Sequence, residues 1–128
     1  TAGHRGPVLL RQGRAPIELE AGGLPLGLIP SASYEERSVR LERGGRLYFV
    51  TDGLTEAENA AGEEFGVAKF LEACDQNRHR PLEETLDAII ARAREWCSPQ
   101  PFADDIALLA IECESWPGFK SLRRPIKA

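Results

Sequence analysis

Three carboxylates stand where strand-borne chemistry is carried out. Asp52 follows the apolar run Leu47–Val50 and precedes Gly53, while Asp104 and Asp105 directly precede the apolar run that begins at Ile106. A carboxylate at the tip of a central strand is held by a rigid scaffold while its oxygens reach solvent, which suits a hard, oxygen-seeking metal ion. If the two strands are neighbours, Asp52 and Asp104 converge at one end of a sheet. Asp-Gly also makes ordinary turns, and Asp-Asp ahead of a strand also occurs as a plain polar loop. Spacing alone leaves both readings open. The three cysteines, Cys74, Cys97 and Cys113, are widely spaced, form no CxxC pair and are joined by only two histidines. A thiolate zinc site is therefore not expected. Free thiols, buried or half-buried in a reducing compartment, are.

The elements that must position those carboxylates follow from periodicity. Pro7–Arg11 and Ile17–Glu20 are short apolar stretches separated by a turn around Gly13, which predicts two strands. The Gly22–Gly27 segment predicts a loop whose leucines pack against the body of the protein. Ser38–Glu42 alternates, with Val39 and Leu41 inward, and predicts a half-exposed strand. Gly44-Gly45 turns the chain into Arg46–Thr51, apolar on both faces and so expected to be central and buried. Val67, Phe70, Leu71 and Cys74 fall on one face of a helix. A second helix is marked by Pro81 at its start, Glu83 and Glu84 in its first turn, and Arg92 and Arg94 near its end. Its apolar stripe is expected at Leu82, Leu86, Ile89, Ile90, Ala93 and Trp96, and Ser98-Pro99-Gln100-Pro101 stops it. Ile106–Cys113 predicts a last, interior strand. Consecutive strands with short turns favour antiparallel pairing under a layer of helices, an α+β fold.

Composition bounds the classes of function. With 42% hydrophobic and 28% charged residues the chain resembles an ordinary soluble globular domain. A net charge of -4 argues against nucleic acid as the main partner. The longest apolar run, Ile106–Ile111, is far too short to cross a bilayer, so no membrane insertion is expected. No signal peptide is visible, which makes the cytoplasm the expected location. The chain contains no methionine and begins at Thr1, so it is expected to be a piece of something longer. Residues 115–128 hold Lys120, Arg123, Arg124 and Lys127 without an acid and read as a basic tail.

Tyr48-Phe49-Val50-Thr51-Asp52-Gly53-Leu54-Thr55-Glu56-Ala57, followed by Asn59 and Gly62-Glu63-Glu64-Phe65-Gly66, closely resembles the phosphatase domain of the SpoIIE/RsbU type. That family lies within the metal-dependent, type 2C-like (PPM) serine/threonine phosphatases. Ala2-Gly3-His4 with Pro7, Gly22-Gly23-Leu24-Pro25-Leu26-Gly27 and Asp104-Asp105-Ile106-Ala107-Leu108-Leu109 agree in order and spacing, so the resemblance covers about Thr1 to Glu112. It implies that residues 1–114 are the C-terminal half of such a domain, part of its β-sandwich. It further implies Asp52 and Asp104 as ligands in a centre of two Mn²⁺ or Mg²⁺ ions. Asp105 takes the neighbouring position, usually not a ligand. His4 falls where the family places a polar residue beside the metals, a place it fills equally well as a structural hydrogen-bonding group. Gly53 is expected to serve a turn that demands glycine.

Thr1 stands where the family commonly has asparagine, and Ala107 where it has threonine; neither change removes a ligand. Nothing in the chain matches the upstream aspartate-glycine motif that bridges the two metals. The resemblance implies hydrolysis of phosphoserine or phosphothreonine by in-line attack of water, with no phospho-enzyme. The substrate class it implies is a phosphorylated anti-anti-sigma factor, with sensor domains fused upstream. A half-domain is expected to bind metal weakly, to turn over little, and to associate with itself through open sheet edges and apolar faces. The competing reading is a non-catalytic, phosphatase-like interaction or regulatory module.

Overall fold

The computed structural model describes residues 1–20 and 22–114, so the basic tail at 115–128 lies outside the described residues. Strands β1 (Val8–Leu10), β2 (Ile17–Glu18) and β3 (Arg46–Val50) are followed by a one-turn helix α1 (Asp52–Thr55). Helices α2 (Gly66–Gln76) and α3 (Leu82–Cys97) and strand β4 (Leu108–Glu112) complete the order. The strands form one antiparallel sheet in the order β2-β1-β3-β4. This is the α+β architecture that the pattern predicts.

Strand alternation assigns the two faces of the sheet. Val8, Leu10, Tyr48 and Val50 point to the helices, where Phe70 and Cys74 of α2 and Ile89, Ala93 and Cys97 of α3 pack on them. The Phe70 ring meets Tyr48 edge-on at 6.4 Å between centroids. In α3 the fully buried stripe is Thr85, Ile89, Ala93 and Cys97, one position from much of the stripe read in the sequence. Leu86, Ile90 and Trp96 flank it, partly buried. Thr85 is inside because it serves a buried cation. Arg46 sits almost wholly out of solvent and donates to Glu112 (2.9 Å), to the Thr85 hydroxyl (3.1 Å) and to the Arg80 carbonyl (2.6 Å). That network joins β3, β4, α3 and the α2–α3 turn at one end of the sheet. A buried guanidinium is tolerable only when so fully paired.

Three expectations are corrected. Ser38–Glu42 forms no strand, pairing with none of the four strands, and Val39 is exposed. β4 lies at an edge of this sheet instead of in its interior, and Leu109 and Ile111 on its outer face are 59% and 46% exposed. The apolar run there marks a face suited to being covered without saying what covers it. The leucines of the 22–28 loop also point outward, Leu26 at 76% exposure. That loop docks through its backbone: Gly3 N–H donates to the Gly23 carbonyl at 3.2 Å, and the Thr1 hydroxyl to the Gly22 carbonyl at 3.0 Å.

The cysteines are free thiols, with Cys74 and Cys97 buried and Cys113 half-buried. Burial pushes the Cys74 thiol up to about 12. No helix among the described residues is long and apolar enough to cross a membrane.

Candidate metal centre

The last rung of the β3–β4 ladder pairs Val50 with Leu108. The chain leaving β3 at Thr51-Asp52 and the chain entering β4 from Asp104-Asp105 therefore meet at one end of the sheet, opposite the Arg46 network. The Thr51 N–H donates to the Ala107 carbonyl at 3.0 Å and carries the pairing one residue further. The approach is close enough to forbid a side chain between the two segments. A β-carbon on Gly53 would lie 2.5 Å from the Asp105 carbonyl oxygen and 3.4 Å from the Asp104 carbonyl carbon. Gly53 lies inside α1 without a left-handed dihedral. Its glycine is thus required by contact with Asp105, a different reason from the turn expected in the sequence.

Asp52, the first residue of α1, is exposed, and its Oδ1 accepts a hydrogen bond from Gly53 N–H at 3.1 Å. Asp104 is exposed too, and its Oδ1 accepts from Asp105 N–H at 2.7 Å. No other hydrogen bond and no ion pair engages either carboxylate among the described residues. Two hard oxygen donors open to solvent at one sheet end fit Mn²⁺ or Mg²⁺ in kind. They do not fill a coordination shell, and no cluster of three or more such ligating side chains occurs among the described residues. Asp105 contributes to this end through its backbone contact with Gly53.

His4 reaches the same region from the N-terminal segment. A cavity of about 520 Å³ is lined by Thr1, His4, Arg5, Asp52 and Glu56, together with the backbone at Gly22 and Gly23. Asp104 and Asp105 are not part of its lining, so Asp52 is the carboxylate that borders both features. His4 Nδ1 donates to the Arg5 carbonyl at 2.9 Å. Arg5 fastens this segment to α1 and β2: its guanidinium donates to the Thr55 hydroxyl at 2.6 Å and to Glu18 at 3.1 Å. Arg5 and Glu56 were not singled out from the sequence. Glu56 lies four residues after Asp52, a spacing that one helical turn brings to one side. Arg5 directly follows Ala-Gly-His, but its partners are distant in sequence and invisible to any local pattern.

The sequence model of the Stage II sporulation protein E (SpoIIE) family matches residues 1–114. Protein IcfG of Synechocystis sp. is 26% identical over 110 residues, covering 86% of this chain and 17% of that protein. Among solved structures, the SiaA-PP2C domain of Pseudomonas aeruginosa superposes with a TM-score of 0.70 at 26% identity, over 88% of this chain and 44% of that one. The PP2C phosphatase domain of SpoIIE from Bacillus subtilis, solved with a fragment of its regulatory domain, gives 0.66 at 20% identity and shares the fold, over 85% of this chain and 31% of that one. The chain thus spans well under two thirds of each of these relatives. With its sequence matched over residues 1–114 and its sheet and helices superposing on PP2C phosphatase domains, this chain belongs to the SpoIIE family of phosphatase domains.

Proposed function

We propose that this chain is the C-terminal half of a metal-dependent protein serine/threonine phosphatase domain, in which Asp52 and Asp104 hold one ion of a Mn²⁺ or Mg²⁺ pair. One observation supports the proposal: the ends of β3 and β4 bring together the backbone segments that carry two solvent-facing carboxylates, in a contact that leaves room only for glycine at position 53. When bound, a metal pair lowers the pKa of water and stabilises the attacking and leaving oxygens of in-line phosphoryl transfer. The chain's own part is to hold Asp52 on a short helix and Asp104 on the facing turn. His4, tied to α1 through its neighbour Arg5, borders the cavity where a phosphoryl group enters beside Asp52. The substrate class is a phosphoserine or phosphothreonine protein, an anti-anti-sigma factor of a cytoplasmic partner-switching pathway. The family resemblance supports that assignment.

Two carboxylates are too few to retain Mg²⁺, which keeps most of its waters at such a pair. The isolated chain therefore binds divalent metal weakly and turns over little, the bridging aspartate coming from the rest of the domain. The exposed outer face at Ile17, Leu109 and Ile111 supports self-association when that remainder is missing. The test is Mn²⁺-dependent hydrolysis of para-nitrophenyl phosphate by this chain, by a longer protein that contains it, and by the Asp52→Asn variant of each. The chain alone is expected to be inactive. The longer protein is expected to be active and to lose about 100-fold or more in the variant, since even outer-shell changes at metal sites cost 10–100-fold. Turnover by the chain alone that Asp52→Asn abolishes refutes the half-site. A folded but inactive longer protein favours the non-catalytic interaction module.

A further inference from the structure

Thr51 occupies the N-cap position of α1, where a threonine hydroxyl ordinarily accepts a hydrogen bond from an early helical N–H. Here it makes no such bond. The hydroxyl turns to the opposite strand, accepting from Ala107 N–H at 2.9 Å and donating to the Asp105 carbonyl at 3.3 Å. The backbone explains the choice. A hydrogen-bonded antiparallel pair exchanges two N–H···O=C bonds. Thr51 supplies its own half through the N–H to the Ala107 carbonyl. The return bond calls for the Thr51 carbonyl, which α1 has already taken: it accepts from Leu54 N–H at 3.3 Å. The side-chain hydroxyl stands in for the missing carbonyl, and its own proton secures Asp105.

We infer that Thr51 is a positioning residue that sets the spacing of the two carboxylates. Its hydroxyl closes the final rung between β3 and β4 and holds the Asp104-Asp105 turn against the helix that carries Asp52. Gly53 lets the two segments touch, and Thr51 keeps them touching. Thr51 bonds to neither carboxylate, so it acts on a divalent cation only through the separation of Asp52 and Asp104. This inference rests on the reading of those two aspartates as ligands of one ion.

Valine copies the shape of threonine without the hydroxyl, and serine keeps the hydroxyl, so Thr51→Val and Thr51→Ser form the test pair. Amide exchange at Ala107 reads the hydrogen bond, and Mn²⁺-induced paramagnetic broadening of the Gly53 and Asp105 amides reads the site. In Thr51→Val, exchange at Ala107 is expected to rise roughly two- to tenfold, the usual worth of one such bond. The Mn²⁺ midpoint shared by Gly53 and Asp105 is expected to rise about tenfold, the scale of outer-shell effects on metal affinity. Thr51→Ser should restore both. Thr85→Val, which removes a buried hydroxyl at the far end of the sheet and lowers stability without touching this rung, should leave the Mn²⁺ midpoint unchanged and so separates positioning from general destabilisation. Faster exchange in Thr51→Val with an unchanged Mn²⁺ midpoint overturns the inference, and so does unchanged exchange. If Mn²⁺ broadens neither amide in the unsubstituted chain, the ligand reading itself has failed. Exchange at Ala107 then decides alone whether Thr51 holds the Asp104-Asp105 turn.

Discussion

Replacing Gly53 by alanine puts one methyl group where the Asp105 carbonyl oxygen already sits. The added carbon would begin 2.5 Å from that oxygen and 3.2 Å from the carbonyl carbon of the same residue. Both neighbours are backbone, so no flexible side chain can swing aside. An ordinary contact of about 3.4 Å requires the Asp104-Asp105 segment to retreat by roughly 0.9 Å. Metal sites tolerate displacements of about 0.2 Å in ligand distance and about 0.5 Å in overall placement. The effect on global stability is smaller, because overpacking costs about 1–3 kcal/mol while alanine is favoured over glycine in a helix by about 1 kcal/mol. A net loss of about 0–2 kcal/mol lowers Tm by less than about 10 °C for a domain of this size. Gly53→Ala is therefore expected to stay folded and to lose at least tenfold in Mn²⁺ affinity. Mn²⁺ broadening of the Asp105 amide, beside a calorimetric melt, measures both. A folded variant that binds Mn²⁺ as the unsubstituted chain does would refute the claim that the Gly53–Asp105 contact fixes the site.

The buried hydroxyl of Thr85 accepts from Arg46 and shares its one proton between the Asn77 and Pro81 carbonyls, so Thr85→Val strands polar partners and should cost about 1–3 kcal/mol in urea unfolding. Phe70→Ala removes a core ring packed edge-on against Tyr48 and should cost about 3–5 kcal/mol in the same assay. At pH 8 a thiol reagent should titrate Cys113 quickly and reach Cys74 and Cys97 only on unfolding, since burial holds both buried thiols above their ordinary value. The pH dependence has a definite sign: the unfolded chain sheds the Cys74 proton from about pH 9.0, whereas the folded chain keeps it to about 12. Stability should thus be unaffected by this group below pH 9 and fall by about 1.4 kcal/mol per pH unit across that window, a slope that Cys74→Ala removes. Lysine at both Leu109 and Ile111, on the exposed face of β4, should abolish concentration-dependent association in light scattering; an unchanged association constant would place the contact elsewhere.

Much of this molecule follows from local pattern. The spacing of Val67, Phe70, Leu71 and Cys74 makes α2, the charge gradient from Glu83 to Arg94 orients α3, and the apolar run at Leu47–Val50 makes a central strand. Those same runs put Asp52 two residues past the end of β3 and Asp104 four residues before the start of β4. Other features were settled only in three dimensions. Periodicity reports that a face is apolar, and it misled over β4, whose outer face the described chain leaves open, and over Ser38–Glu42, which finds no strand partner. Which strands neighbour each other is a long-range choice, and it alone brought the Asp104-Asp105 segment against the segment that carries Asp52. In the sequence Gly53 looks like a turn residue and Thr51 like the last residue of a strand. Their actual tasks depend on a carbonyl and an amide contributed by a distant strand end, and hydrogen bonds of that kind exist only after β3 and β4 have paired.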